Sequence, residues 1–301
     1  MRLEVIVLAA GEGTRMQSSI PKVLHTVGGR PLLDHVLCVA RGLAPEALHV
    51  VVGRSGDEIR ARFEAKDVVW VDQMEQKGTG HAVMQAIDGV QSSAMVLVLF
   101  GDVPLIEQET LEACISAAEE GIGVVTVDMP VPDGFGRIQR GRDGEIEAIV
   151  EHSDATPAQR TITEINTGIL AVPATTLASL LKSITARNAQ GEYYLTDIVG
   201  LATSQGIRVV SVSATSAPEV QGINDRVQLA LVERHLQRRE AERLMASGVT
   251  IAAPSRLDLR GTLTAGQDCF IDINVVVELS LIHISEPTRP RLISYAVFCL
   301  K

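Results

Sequence analysis

A buried strand that ends in a glycine-rich turn places the strongest constraint on the fold of this chain. Residues 5–10 form an uninterrupted apolar run that is rich in β-branched side chains, as in a parallel strand covered on both faces. Gly11 and Gly13 follow the run, and the cations Arg15 and Lys22 come shortly afterwards. Glycines let a ligand approach backbone N–H groups, and cations complement anionic oxygens. The stretch therefore predicts a polyphosphate-binding site at the end of a buried strand.

Two familiar phosphate-binding motifs do not match this turn. A dinucleotide-binding G-x-G-x-x-G turn requires a third glycine at the position of Met16, and the G-x-x-x-x-G-K-[ST] pattern of the P-loop is absent from the sequence. A NAD-dependent dehydrogenase also requires an acidic residue at the end of the second strand, where this chain has Val52 and Gly53. These departures argue against a dehydrogenase.

Apolar patterns alternate between strand and helix through the first half of the chain. Strands are predicted at 48–52, 68–71 and 95–100, and helices at 31–43, 57–63 and 81–87. Such alternation is typical of a parallel sheet with helices on both faces. In the later part of the chain, strands are predicted at 123–128 and from residue 164, with a hairpin between them that turns at Asp143 and Gly144. The longest helix is predicted from Asn224 to about Ser247.

The spacing of the aliphatic residues changes after this helix. Two rows recur every six residues, and they consist of Ile251, Leu257, Leu263, Cys269 and Val275 in the first and of Leu259, Ala265, Ile271 and Val277 in the second. A six-residue aliphatic period is typical of a β-helix built from hexapeptide turns. Because the two rows keep the same register, we expect the start of such a solenoid here.

Residues 279–301 do not continue the six-residue period, and Pro287 falls on the apolar row. The segment resembles the in-frame translation of a transposon-type sequencing adapter. We therefore expect it to be an artefact, and we exclude it from the fold prediction. On this interpretation the natural protein continues past about Glu278.

Composition and charge exclude several classes of protein. The chain has 301 residues and a formal net charge of −10, and it lacks the basic block expected of a nucleic-acid-binding protein. The cysteines show no C-x-x-C spacing, so no zinc site or disulfide framework is predicted. No signal peptide and no apolar run of transmembrane length are recognisable. We expect a cytoplasmic protein without an integral membrane segment.

Several motifs occur in an order and spacing that resemble one bacterial enzyme family. They are L-A-A-G-E-G-T-R-M, P-K-V-L-H, E-Q-K-G-T-G-H-A, G-D-V-P-L, F-G-R-I, I-V-E-H, E-I-N-T-G, G-E-Y-Y-L-T-D and Q-G-I-N-D-R. Together they resemble the bifunctional N-acetylglucosamine-1-phosphate uridyltransferase and glucosamine-1-phosphate acetyltransferase family, from Met1 to about Glu278.

The resemblance implies an α/β fold and a division into domains. We expect a Rossmann-like mixed-sheet nucleotidyltransferase domain at 1–223, a linker helix at 224–248 and the start of a left-handed hexapeptide β-helix at 249–278. The β-helix of the family carries the acetyltransferase activity, uses acetyl-CoA and assembles as a trimer. We expect the full-length parent to be a bifunctional homotrimer and this truncated chain to be monomeric.

The resemblance also implies a reaction. A phosphate oxygen of N-acetylglucosamine 1-phosphate attacks the α-phosphorus of UTP, pyrophosphate leaves, and UDP-N-acetylglucosamine forms. Because both reactants are anions, one or two Mg²⁺ ions and fixed cations are expected to offset their charge. Two alternatives remain: a transferase for another base or sugar, and a catalytically silent nucleotide-binding protein.

Site residues follow from the family motifs position by position. Arg15 and Lys22 are the implied catalytic cations, and Asp102 and Asn224 are the implied metal ligands. The implied nucleotide-binding residues are Leu8, Ala9, Ala10, Gly11, Gly13, Gln73, Gln76, Gly78 and Thr79. The implied sugar-phosphate residues are Phe100, Gly136, Glu151, Asn166, Tyr194 and Thr196. Phe100 is a departure, because the family often has Tyr there.

Simpler roles remain open for some of these residues. Lys22 could be a surface lysine, and Asp102 could be a turn residue. Asn224 precedes the predicted longest helix, so it could be the N-cap instead of a metal ligand. Glu151 and Asn166 could be structural, and residues 73–79 could be an ordinary polar loop.

Overall fold

The chain folds around a mixed β-sheet with helices on both faces. The computed structural model describes residues 2–63, 65–278 and the backbone of residues 282–284. The strands are β1 (Arg2–Ala9), β2 (Thr26–Val27), β3 (Arg30–Pro31), β4 (Ala47–Val52), β5 (Val68–Asp72), β6 (Ala94–Phe100), β7 (Gly121–Asp128), β8 (Arg137–Arg140), β9 (Ile146–Val150), β10 (Glu164–Pro173), β11 (Arg208–Ser213), β12 (Thr250–Ile251), β13 (Leu257–Arg260), β14 (Leu263–Ala265), β15 (Phe270–Ile271), β16 (Val275–Glu278) and β17 (Ile282–Ile284).

Helices connect most of these strands. They are α1 (Leu32–Gly42), α2 (Gly56–Arg62), α3 (Thr79–Ile87), α4 (Gln108–Ala117), α5 (Pro157–Arg160), α6 (Ala174–Leu181), α7 (Asp197–Ser204) and α8 (Arg226–Ala246). Short 3₁₀ helices occur at Thr14–Met16, Lys22–Leu24, Ala118–Glu120, Ala217–Val220 and Pro254–Arg256. Among the helices of the described residues, none is long and apolar enough to cross a membrane.

The main sheet has the order β11-β7-β10-β6-β1-β4-β5, and the hairpin of β8 and β9 joins it through β10. Strands β1, β4, β5 and β6 pair in parallel, as their alternation with helices predicts. Strand β10 is antiparallel to both β6 and β7. The expected mixed α/β sheet is therefore confirmed.

Burial of β1 on both faces explains its unbroken apolar sequence. Val5 and Val7 belong to the core on one side of the sheet, and Ile6 and Leu8 belong to the core on the other side. Helix α1 covers the first side with an apolar stripe of buried residues, Leu33, Val36, Leu37 and Ala40. Side chains alternate along a strand, so only an apolar run can serve two cores at once.

The longest helix begins later than its sequence predicts. Helix α8 starts at Arg226, and the Asp225 side chain caps it by accepting a 2.8 Å hydrogen bond from the backbone N–H of Gln228. Asn224 is therefore not the N-cap. Two apolar residues of the helix, Val227 and Leu231, are exposed. The helix instead buries Val232, Leu236, Gln237, Ala241 and Leu244.

The C-terminal strands form the start of a parallel β-coil, as the six-residue period predicts. Leu257 in β13 lies opposite Val275 in β16, three six-residue repeats further along the chain. Both predicted rows line one core, in which Ile251, Leu257, Leu259, Leu263, Cys269 and Ile271 are buried and Ala265, Val275 and Val277 are partly buried. Ala241 and Leu244 of α8 close this core. The predicted artefact segment 279–301 lies outside the described residues, except for the backbone of β17, which pairs with β14.

Candidate functional site

A cavity of about 410 Å³ opens at the carboxyl ends of β1, β5 and β6, where open α/β sheets bind ligands. Its lining includes the predicted catalytic Lys22, both predicted metal ligands, Asp102 and Asn224, and Phe100 of the predicted sugar-phosphate group. Most of the predicted nucleotide-binding residues also line it, namely Leu8, Ala9, Ala10, Gly11, Gln73, Gln76, Gly78 and Thr79. Val23, Ala82 and Glu192 also line the cavity, and our sequence assignment missed them. Glu192 lies inside the G-E-Y-Y-L-T-D motif, so the signal for it was present.

Gly13 shapes the turn after β1. Its φ of +62° is a left-handed conformation, and a Cβ at this position would lie 2.6 Å from the Cβ of Lys22. Glycine is required on both counts, because any side chain would be strained and would displace the stem of Lys22. Arg15 is exposed and does not line the cavity, and no carboxylate of the described residues pairs with it. Its guanidinium is therefore free to pair with an anionic ligand.

Lys22, Asp102 and Asn224 come together from three distant parts of the chain. The ammonium of Lys22 forms an ion pair with Asp102 and donates a 3.2 Å hydrogen bond to Oδ1 of Asn224. The Lys22 and Asp102 side chains are only 12% and 15% exposed. The backbone N–H of Ile223 donates to the carbonyl oxygen of Asp102 at 3.0 Å, which holds the segment before α8 against the turn after β6.

The oxygens of this cluster fit a divalent cation. Asp102 and Asn224 both direct a side-chain oxygen at the ammonium of Lys22, so these oxygens already converge on one positive charge. Mg²⁺ prefers oxygen ligands and usually takes one or two of them from protein carboxylates, with waters and substrate phosphates completing the shell. The described residues contain no cluster of three or more His, Cys, Asp or Glu that could hold a metal by itself.

Loop 73–80 forms the other end of the cavity. The amide nitrogen of Gln73 donates to the carbonyl oxygen of Gly78 at 3.1 Å, and that of Gln76 donates to the carbonyl oxygen of Ala10. Gly78 has a φ of +102°, and a Cβ there would lie 2.6 Å from the carbonyl oxygen of Tyr193. The loop is therefore packed tightly against β1 and against the segment around Tyr193, and it is not a free polar loop.

Backbone hydrogen bonds join this loop to residues 193–195. The N–H of Gly80 donates to the carbonyl of Tyr193, and the N–H of Tyr193 donates to the carbonyl of Lys77, each at 2.8 Å. The hydroxyl of Thr79 accepts from the N–H of Leu195 at 3.1 Å. Thr79 thus supports the wall of the cavity as well as lining it.

The predicted sugar-phosphate residues form a second group beyond the cavity lining. Thr196 donates a 2.8 Å hydrogen bond to Glu151, and burial raises the pKa of the Glu151 carboxyl above its usual range. A Cβ on Gly136 would lie 3.5 Å from both carboxylate oxygens of Glu151. The N–H of Asn166 donates to the carbonyl of Gly136 at 2.9 Å. The structure therefore brings Gly136, Glu151, Asn166 and Thr196 together.

Tyr194 lies in the same region but already has a protein partner. Its hydroxyl donates to Asp154 at 3.3 Å, and its side chain is buried. Burial also raises the pKa of the Tyr194 phenol. The geometry is therefore that of a supporting residue, and a direct contact with a sugar stays a prediction.

Phe100 connects the cavity to this second group. It lines the cavity, and its ring packs against Gly168, where a Cβ would lie 2.4 Å from Cε2 of the ring. Gly168 has a φ of +85°, and its N–H donates to the side-chain oxygen of Asn166 at 3.1 Å. The register of β10 against β7 shifts between Asn166 and Leu170, so an irregular strand positions Asn166.

Comparison with known proteins shows which family the chain resembles. Residues 5–140 match the MobA-like NTP transferase domain. The chain is 52% identical over 276 residues to the bifunctional protein GlmU of Alkalilimnicola ehrlichii and 53% identical over 275 residues to that of Pseudomonas aeruginosa. The resemblance to the bifunctional family is confirmed. These matches cover 92% and 91% of this chain, and the chain spans about 60% of the length of either GlmU relative.

Two solved structures share the fold of this chain. A UDP-glucose pyrophosphorylase complexed with UDP-glucose matches 79% of this chain and 100% of its own, with a TM-score of 0.66 and 15% identity. A glucose-1-phosphate thymidylyltransferase, described as putative, from Bacillus anthracis matches 77% of this chain and 95% of its own, with a TM-score of 0.61 and 18% identity. At this identity the two structures show a shared fold and no more.

Proposed function

We propose that this chain transfers a uridylyl group from UTP to N-acetylglucosamine 1-phosphate and releases pyrophosphate. The observation that carries the proposal is the convergence of Lys22, Asp102 and Asn224 in a cavity that lies between loop 73–80 and the Phe100 side of the Glu151 group. The identity to GlmU proteins at 50% and above supports it. In such a reaction the sugar-phosphate oxygen forms a bond to the α-phosphorus as the bond to pyrophosphate breaks.

The residues of the chain would act mainly by positioning and by charge. Gly11 and Gly13 give the triphosphate access to backbone N–H groups, and Arg15 offers a free cation. Lys22, once it faces a phosphate oxygen instead of Asp102, offsets the negative charge that develops at the α-phosphate. No protein nucleophile is required, since both reacting oxygens belong to the substrates.

Glu151 and Asn166 are proposed to hold the sugar. Glu151 is largely buried and accepts one hydrogen bond, from Thr196, so its carboxylate retains acceptor capacity for sugar hydroxyls. The ring of Phe100 lies between this group and the cavity. It offers an apolar surface where the family often has a tyrosine hydroxyl.

Asp102 and Asn224 are the residues that would hold Mg²⁺, in one or two ions. When bound there, the ion would neutralise phosphate charge and help to orient the two anionic substrates. Lys22 now pairs with both of these ligands, so the protein itself supplies a positive charge at this point.

A second activity is proposed for a form of the protein as long as its GlmU relatives. Those relatives are called bifunctional, and the described β-coil is the beginning of a hexapeptide solenoid. We propose acetyl transfer from acetyl-CoA to glucosamine 1-phosphate by a trimeric solenoid. The test of this second activity is to measure acetylation of glucosamine 1-phosphate by a protein of the relatives' length and by this chain under the same conditions.

Pyrophosphate release from UTP, Mg²⁺ and N-acetylglucosamine 1-phosphate is the direct test. We expect release that requires the metal and falls by about 100-fold or more in Lys22→Ala, since loss of one charge-stabilising donor commonly has this effect. The exposed Lys66 provides a matched control, and Lys66→Ala should retain full activity. A folded wild-type chain that releases no pyrophosphate would contradict the proposal.

A panel of substrates separates the proposal from its alternatives. UTP with N-acetylglucosamine 1-phosphate should be preferred over CTP or dTTP and over glucose 1-phosphate. A preference for another pair would identify a different sugar-phosphate nucleotidyltransferase. Nucleotide binding by calorimetry without any release of pyrophosphate would identify a silent binding protein.

A further inference from the structure

Gln73 has a defined amide orientation at the end of the cavity formed by loop 73–80. Its side-chain nitrogen lies 3.1 Å from the carbonyl oxygen of Gly78 and 3.0 Å from Nδ1 of His81. A backbone carbonyl can only accept a hydrogen bond, so the Gln73 atom that faces Gly78 must be the amide nitrogen. The orientation of the Gln73 amide is therefore fixed by the need to donate a hydrogen bond to the Gly78 carbonyl oxygen.

The same nitrogen determines the proton position on His81. Because the Gln73 nitrogen donates, Nδ1 of His81 must accept, and the neutral imidazole must carry its proton on Nε2. Both amide hydrogens of Gln73 are then used within the protein. Among the described residues, nothing donates a hydrogen bond to the side-chain oxygen of Gln73, and the residue lines the cavity while being only 3% exposed.

With both amide hydrogens used, the group that Gln73 has left to offer a ligand in the cavity it lines is its side-chain oxygen, which is a hydrogen-bond acceptor. Uracil carries a donor at N3, whereas cytosine carries an acceptor there, so an acceptor in this position pairs with uracil and repels cytosine. We propose that His81 is a positioning residue that sets the preference for uracil by holding the Gln73 amide in this orientation. The proposal rests on the uridylyl transfer proposed above and names a residue that controls its choice of base.

The surroundings of His81 allow this role to be tested separately. The His81 ring lies beside Tyr193, with ring centroids 6.4 Å apart and planes 31° apart. On its other side, the side-chain nitrogen of the exposed Gln85 donates to the backbone carbonyl oxygen of His81 at 3.3 Å. The same nitrogen lies 3.4 Å from Nε2 of His81, and since Nε2 carries the proton, this second approach is not a hydrogen bond to the ring. Gln85 contacts His81 but not Gln73, so Gln85→Ala is a matched control.

The experiment measures kcat and KM for UTP and for CTP in His81→Ala, His81→Asn and Gln85→Ala. In His81→Ala we expect KM for UTP to rise about 5- to 10-fold, the usual worth of one hydrogen bond. The preference for UTP over CTP should fall by a similar factor, while kcat and KM for the sugar phosphate stay near wild type. His81→Asn should restore the preference, because its side-chain oxygen replaces Nδ1 as the acceptor.

Several results would overturn the role of His81. They are an unchanged UTP preference in His81→Ala, a failure of His81→Asn to restore it, or an equal rise in KM for every substrate together with a lower melting temperature. A wild-type chain that releases no pyrophosphate would overturn the proposed function instead. In that case the ratio of UTP to CTP affinity, measured by calorimetry in the same variants, would still decide whether His81 controls base preference.

Discussion

The ammonium of Lys22 forms an ion pair with the carboxylate of Asp102, although the two residues are 80 positions apart in the chain. The same ammonium donates to the side-chain oxygen of Asn224 at 3.2 Å. A cation of the protein thus lies at the point where the two proposed metal ligands converge. A divalent ion and Lys22 must therefore compete for Asp102, unless the lysine turns towards a phosphate.

Lys22→Ala is expected to strengthen the binding of a divalent ion when no nucleotide is present. Removing the ammonium frees Asp102 and Asn224, and a charged hydrogen bond of this kind corresponds to roughly a 10-fold change in affinity. Titration with Mn²⁺ followed by electron paramagnetic resonance measures the effect. Asp102→Asn should weaken the same binding. Equal Mn²⁺ affinity in wild type and Lys22→Ala would show that the lysine does not compete.

Two neighbouring residues before α8 should respond differently to removal of their side chains. Asp225→Ala removes the helix cap and is expected to lower the free energy of unfolding by about 1 kcal/mol. Asn224→Ala should leave stability nearly unchanged and weaken Mn²⁺ binding, because its side-chain oxygen contacts Lys22 and not the helix. Urea denaturation and Mn²⁺ titration of both variants provide the comparison. A larger loss of stability in Asn224→Ala would contradict these assignments.

Gly168→Ala is expected to impair the site as well as the backbone. Gly168 and Gly144 have nearly equal φ values of +85° and +84°, so alanine at either position should cost about 1–2 kcal/mol. A Cβ on Gly144 meets nothing within 4 Å, whereas one on Gly168 would strike the Phe100 ring. The displaced ring should raise KM for the sugar phosphate in Gly168→Ala alone. Identical kinetics in the two variants would contradict the positioning of Phe100.

The buried carboxyl of Glu151 should make stability fall as pH rises. Burial raises its pKa in the folded chain above that in the unfolded chain. Between these two values the folded state holds a proton that the unfolded state has lost, so the free energy of unfolding decreases with pH. Glu151→Gln should remove this contribution and be more stable than wild type above the window. It should also raise KM for the sugar phosphate if Glu151 binds the sugar.

Chemical denaturation of wild type and Glu151→Gln from about pH 4 to pH 8 spans the range in which buried carboxyls titrate. Asp197, whose pKa burial also raises, is present in both proteins, and its charge also contributes to the raised pKa of Glu151. A difference that does not change with pH would contradict the role of Glu151 burial in stability.

Local sequence patterns predicted the elements in which the spacing of the apolar residues shows which faces are buried. The apolar run of β1 requires two covered faces, the stripe of α1 requires one, and the six-residue rows require a coil. In each case the period of the sequence matches the geometry of the backbone, so the burial of Leu33 or Leu257 follows from spacing alone.

Helix α8 shows where local patterns fail. Its sequence offers apolar residues on more than one face, and Val227 and Leu231 remain exposed while Val232 and Leu236 are buried. Which face packs depends on the β-coil that follows the helix and on Met16 and Val27 before α1, which are more than 200 residues away in the sequence. The start of the helix was predicted two residues too early for a similar reason, because both Asn224 and Asp225 are good caps and only the path of the backbone selects between them.

The candidate site divides in the same way. The sequence by itself determined that a glycine-rich turn, a loop rich in amides and a carboxylate after a buried strand lie at the carboxyl edge of a sheet, since strand direction dictates that edge. Only the tertiary structure decided that Lys22 pairs with Asp102 and that Gly78 and His81 hold the amide nitrogen of Gln73. Such contacts depend on the distances and donor geometry between segments far apart in the chain, which no local period encodes.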